Sequence, residues 1–92
     1  MEIDKPCLFL EINDKNFIFV VAQYDKDLNY KILDTKEVQS EGVLNGKIID
    51  ITITSKILKD SIVLIEKKIN FTFKSAIVVS CQNSFECINI SG

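Results

Sequence analysis

The sequence of 92 residues contains no histidine, no arginine and no tryptophan. Without histidine, the chain alone cannot form a Ser-His-Asp or Cys-His catalytic set, or a histidine-containing zinc site. Without arginine, it has no side chain for bidentate recognition of phosphate or carboxylate. Its 11 basic residues are outnumbered by 13 acidic ones, which gives a formal net charge of −2. This balance argues against a nucleic-acid-binding surface, which normally needs a basic excess.

Membrane and secretion signals are also missing from the sequence. No apolar run approaches the roughly 20 residues of a transmembrane helix, and the first residues do not resemble a signal peptide. The three cysteines, Cys7, Cys81 and Cys87, are odd in number and form no CxxC pair. We therefore expect a cytoplasmic protein with reduced, partly buried thiols and no membrane contact of its own.

The hydrophobic pattern predicts strands at both ends of the chain. Residues 7–12, 17–22 and 75–80 form short runs that are apolar on both faces, which is typical of central strands. A more polar stretch over 30–38 predicts an edge strand. A loop carrying two of the three glycines follows over 39–47.

The middle of the chain changes to a helical period. Five apolar residues are spaced 7, 4, 3 and 4 positions apart, which puts them on one face of a predicted helix. They are Ile51, Leu58, Ile62, Ile65 and Ile69. Asp50 stands where an N-cap belongs, and two lysines in the last turn complement the helix dipole. The sequence therefore predicts one helix over 51–69.

The predicted element order is β-β-β-α-β, with a further strand over 85–90. A right-handed crossover would place the fourth strand beside the first and parallel to it, which gives a mixed sheet of order 3-2-1-4. The predicted class is α/β with one crossover helix in a single domain over 1–92. This is the arrangement of the first half of a ribonuclease-H-like or actin-like ATPase subdomain.

Residues 40–51, SEGVLNGKIIDI, resemble the S-x-G-(I/V)-x-x-G-x-(I/V)-x-D-(I/L) segment of FtsA, the bacterial actin-like cell-division family. The matching positions are Ser40, Gly42, Gly46 and Asp50. Leu10-Glu11-Ile12 is similar to the start of the family's phosphate-binding hairpin. The resemblance covers nearly the whole chain but only the first part of a typical family member. It implies an amino-terminal fragment of a two-lobed protein, with residues 85–92 near the start of an inserted subdomain.

The resemblance also implies a phosphate-binding loop, which is degraded here. Glu11 takes the acidic position that helps to hold a metal ion, but Asn13 replaces the glycine, Asp14 replaces the hydroxyl residue, and Lys15 follows. Asparagine can adopt the left-handed backbone that the turn requires. Its side chain nevertheless crowds the phosphate, and Asp14 places a negative charge beside an anion. We predict no catalytic residue, no metal site and no ATP or magnesium cofactor in this chain, whereas a full-length parent could carry both.

The function implied by the resemblance is that of a division scaffold. The parent would tether the FtsZ ring to the cytoplasmic face of the membrane at the septum, with at most a weak ATPase activity. This chain's partners would be the rest of its parent or a second copy, and it would meet FtsZ and other divisome proteins only through the parent. The alternatives are a stand-alone, non-enzymatic interaction module and a fragment of a pilus-assembly or sugar-kinase type of actin-like protein. A nuclease is excluded because the fourth strand ends without the carboxylate that a two-metal site needs.

Overall fold

The computed structural model describes residues 4–80 and 85–89, with side chains described over 4–79. One helix, α1, spans Ile51–Ile69. The strands, in chain order, are β1 (Pro6–Ile12), β2 (Asn16–Tyr24), β3 (Tyr30–Gln39), β4 (Val43–Leu44), β5 (Lys47–Ile48), β6 (Ser75–Ser80) and β7 (Phe85–Asn89).

The large sheet has five strands in the order β3-β2-β1-β6-β7. β1, β2 and β3 form an antiparallel meander, and β6 pairs with β1 in parallel. The predicted sheet order is confirmed, since β6 is the predicted fourth strand and α1 connects it to the meander. The further strand also forms, as β7 antiparallel to β6 at the edge. The interpretation of residues 85–92 as the start of an inserted subdomain stays a prediction, and 90–92 lie outside the described residues.

The hydrophobic core lies between α1 and one face of the sheet. Successive side chains of a strand point to opposite faces, so the register brings every second residue of the central strands together on this face. Leu10, for example, stands opposite Phe19 on β2 and Val78 on β6. The buried core comprises Leu8, Leu10, Phe17, Phe19, Val21, Ile62, Ile65, Phe73 and Ala76.

The opposite side of the sheet, which we call the open face, is also apolar. Among the described residues, no second helix packs on it. Five side chains alternate with the core residues and remain half-buried: Phe9, Ile18, Val20, Ile77 and Val79. The single predicted crossover helix, α1, is confirmed for this part of the chain and lies on the other side of the sheet.

The helix begins and ends as its sequence predicts. The Asp50 carboxylate accepts a hydrogen bond from the backbone N–H of Ile53 at 3.1 Å, which caps the first turn. Asn70 ends the helix in the left-handed conformation, with φ at 58°. Lys68, in the last turn, also forms an ion pair of 3.0 Å with Asp34 on β3. In the described residues, no helix is both long and apolar enough to cross a membrane.

The predicted apolar face of the helix is wrong at its first position. Ile51 is 64% exposed, whereas Thr54 is fully buried in the first turn. The reason is that the first turn packs on the loop before it rather than on the sheet, and Thr54 makes that contact. Farther along, Ile62 and Ile65 are buried as the spacing predicts.

The region predicted as a loop over 39–47 contains a small hairpin. β4 and β5 pair antiparallel, and Asn45 and Gly46 form the turn with positive φ angles of 54° and 75°. Positive φ at both central residues is the signature of a type I′ turn, for which Asn-Gly is a preferred sequence. The strands of two residues each are too short to show an alternating pattern, so only the turn residues could have indicated this hairpin.

Candidate functional site

The turn between β1 and β2 is built around the side chain of Asn13. Its Oδ1 accepts hydrogen bonds from the backbone N–H groups of Lys15, at 3.0 Å, and Asn16, at 2.9 Å. Asn13 does not have a positive φ, so the turn forms without the left-handed backbone that asparagine can adopt. The side-chain carbonyl bends the chain instead, as Asn does in many turns.

Asp14 joins this turn to the small hairpin. One carboxylate oxygen accepts from the N–H of Asn45 at 2.9 Å, and the other accepts from the N–H of Gly46 at 2.6 Å. The hydroxyl group of Ser40 donates to the backbone carbonyl of Asp14. We call this set of contacts the Asp14 clasp. It connects residues up to 32 positions apart in the sequence.

Gly42 and Asp50 meet at a second contact, beside the start of α1. The carbonyl oxygen of Gly42 accepts from the N–H groups of Ile49, at 2.7 Å, and Asp50, at 3.1 Å. The buried hydroxyl of Thr54 donates to the carbonyl of Glu41 at 2.8 Å. The loop therefore lies directly against the first turn of the helix.

The close approach at this contact requires glycine. Gly42 has a φ of +80°, and a Cβ atom placed on it would lie 2.6 Å from the carbonyl oxygen of Asp50 and nearer still to the hydroxyl of Thr54. Sequence reasoning selected Gly42 and Asp50 but missed Thr54. The sequence did contain a signal for it. Thr54 lies four residues before Leu58, so it stands on the apolar face of the helix at a position where an apolar residue would be expected.

Glu11 stands apart from these contacts. Its side chain is exposed, and one carboxylate oxygen lies 3.5 Å from the side-chain nitrogen of Asn13. Over the part of the chain that the structure describes, no group of three or more acidic or cysteine side chains could hold a metal ion. Asp14, the nearest acidic residue in the turn, is already engaged with two backbone N–H groups.

The residues of the predicted phosphate loop form a first set and those of the family-like loop a second, and the structure brings both sets into one site except for Glu11. Asp14 of the first set contacts Ser40 and Gly46 of the second, while Gly42 and Asp50 hold the second set to the helix. Its polar groups bind one another, and none of the contacts described joins a nucleophile to a base. The arrangement fixes the relative positions of the turn, the hairpin and the helix start.

Comparisons with protein-family models, with curated proteins and with solved structures each give no match. The resemblance of residues 40–51 to the FtsA segment stays a prediction.

Proposed function

We propose that this chain is the amino-terminal subdomain of an FtsA-like, actin-related scaffold and that it acts without binding nucleotide. The observation that carries the absence of nucleotide binding is the Asp14 clasp. In it, the Asp14 carboxylate accepts hydrogen bonds from two backbone N–H groups beside the turn that would receive phosphate. Two features support the actin-like part of the proposal. They are the meander with a parallel fourth strand and the position of residues 40–50 between β3 and α1.

A phosphate site needs backbone N–H groups that are free to donate and a local field that favours an anion. In the β1–β2 turn, the N–H groups of Lys15 and Asn16 already donate to Asn13. Those of Asn45 and Gly46 donate to Asp14. A bound phosphate would have to displace these acceptors and lie beside the negative charge of Asp14, which is unfavourable without a screening cation.

In this proposal the parent protein links the FtsZ ring to the cytoplasmic face of the membrane at the division site. This chain supplies the first subdomain rather than the contact with FtsZ or with lipid. Its open face packs against further parts of the parent. A parent of the pilus-assembly or sugar-kinase type would use the same sheet order and is the nearest alternative.

We expect isothermal titration of the chain with magnesium-ATP to give no heat beyond dilution. Phosphoryl chemistry depends on positioned donors and on charge neutralisation, and the turn offers neither. The double variant Asn13→Gly, Asp14→Thr restores the family's residue types and serves as the comparison. Micromolar binding by the natural chain would overturn the proposal. Binding by the double variant alone would show that these two side chains are what prevents it.

A second candidate is a free-standing interaction module that uses the open face. It is favoured by the half-buried apolar side chains of that face, since exposed apolar patches commonly mark interfaces. Val20 lies near the middle of the patch, between Phe9 on β1 and Thr35 on β3.

We expect the natural chain to self-associate as its concentration rises, and Val20→Lys to reduce this because it places a charge on the apolar face. Size-exclusion chromatography with light scattering measures the change. Val63→Lys is the matched control, since Val63 is 45% exposed on the helix and its replacement should change nothing. A natural chain that stays monomeric at high concentration would contradict self-association through the open face.

A further inference from the structure

Asn45 is the residue of this chain best placed for a spontaneous covalent change. It is followed by Gly46, and Asn45-Gly46 is the only Asn-Gly pair in the sequence. Glycine has no Cβ, so its backbone nitrogen can approach the preceding side chain more easily than that of any other residue. We propose that Asn45 is a deamidation site and that the Asp14 clasp controls how fast it reacts.

The chemistry needs only water. The backbone nitrogen of Gly46 loses its proton to solvent base and attacks the side-chain carbonyl carbon of Asn45. A new C–N bond closes a five-membered imide ring, and the bond to the side-chain nitrogen breaks, so that ammonia leaves. Water then opens either side of the ring and yields aspartate or isoaspartate at position 45. The net change is the exchange of an amide for a carboxyl group, with no oxidation or reduction.

The Asp14 clasp opposes the first step of this reaction. The attacking nitrogen is the one whose N–H donates to Asp14 at 2.6 Å, and that hydrogen bond stabilises the protonated form. The carboxylate also disfavours a second negative charge beside it. In addition, the clasp and the β4–β5 pairing hold both turn residues at positive φ, so the nitrogen cannot rotate freely towards the side chain. Asn45 therefore reacts when the clasp opens locally.

The product would in turn prevent the clasp from closing again. The N–H of Asn45 donates to Asp14 at 2.9 Å, so a new carboxylate on residue 45 would lie close to a like charge. Isoaspartate would also add an atom to the backbone at the tip of the hairpin and displace both N–H groups. Deamidation thus works as a one-way release of the hairpin from the β1–β2 turn. This inference does not depend on the FtsA-like assignment.

The test compares the deamidation rate of the natural full-length chain with the rates of two variants. Samples taken over time are digested with a protease, and mass spectrometry of the peptide that contains residue 45 measures the deamidated fraction. We expect Asn45 to deamidate about fivefold faster in Asp14→Ala than in the natural chain in native buffer. The substitution removes the hydrogen bonds to a charged group that keep the clasp closed. Asp25→Ala is the matched control. Asp25 also accepts from two backbone N–H groups, at 2.9 and 3.0 Å, but in the β2–β3 turn, and its loss should leave the rate unchanged.

In urea, where no clasp exists, all three chains should react at one rate. Circular dichroism checks that Asp14→Ala keeps its helix. If it does not, Asp14→Asn takes its place, since it removes the charge and one of the two acceptor oxygens but keeps the size of the side chain. Equal native rates for the natural chain and the Asp14 variant would overturn the proposal. A slower rate in the variant would overturn it too, because Asp14 would then act as a base that promotes the reaction.

Discussion

Replacement of Gly42 by alanine is expected to lower the free energy of unfolding by about 3 kcal/mol. Two costs combine at this position. The positive φ of +80° is unfavourable for any residue with a Cβ, and that atom would press on the carbonyl of Asp50 and the hydroxyl of Thr54. Urea denaturation followed by the circular dichroism of the helix measures the loss.

The matched control is Gly46→Ala. Gly46 also has a positive φ, at 75°, so its replacement carries the backbone cost of about 1–2 kcal/mol. The difference between the two variants isolates the contact between the loop and the helix. If both variants lose the same stability, the close approach at Gly42 contributes nothing and only the backbone conformation matters.

Phe19→Ala is expected to cost about 3–5 kcal/mol, because it leaves a cavity in the core. Phe19 is fully buried between the sheet and the helix. A loss of this size is a large part of the roughly 5–15 kcal/mol by which a small domain is stable. Chemical denaturation at low protein concentration gives the value.

Phe9→Ala is the control for this variant, since the same residue type is removed from the open face, where Phe9 is half-buried. We expect a clearly smaller loss, because less apolar surface returns to water. An equal loss in the two variants would mean that the open face is covered in solution. Repeating the comparison at higher concentration would then show whether a second copy covers it.

The elements of this fold could be predicted because their signals are local. The apolar runs of β1, β2 and β6 and the period of the helix each depend on neighbouring residues, and the crossover rule then limits the sheet order. The exposed position of Ile51 could not be predicted. It depends on Thr54 binding Glu41, a contact between the helix and the loop before it.

Most residues of the candidate site could be selected from the sequence, but the hydrogen bonds between them could not be predicted. The sequence shows that Asp14 is unsuitable beside a phosphate, yet it does not show what the carboxylate binds instead. Its partners, Asn45 and Gly46, are brought to it by the folding of β3 and the small hairpin. The details of the turn at Asn13 could not be predicted for a related reason. Its side-chain oxygen accepts from the N–H groups of Lys15 and Asn16, in addition to the backbone hydrogen bond from Asn13 to Asn16.

The pairing of β1 with β6 also affects the order of folding during synthesis. The meander of β1, β2 and β3 consists of contacts between neighbouring segments, so it can form as soon as it leaves the ribosome. β1, however, is a central strand whose second edge is paired only by β6, which comes after the helix. Until residues 75–80 have emerged, the backbone groups along that edge are open to other chains. Contacts between distant segments form slowly, so the interval before β6 arrives is when a nascent chain is most exposed to mispairing.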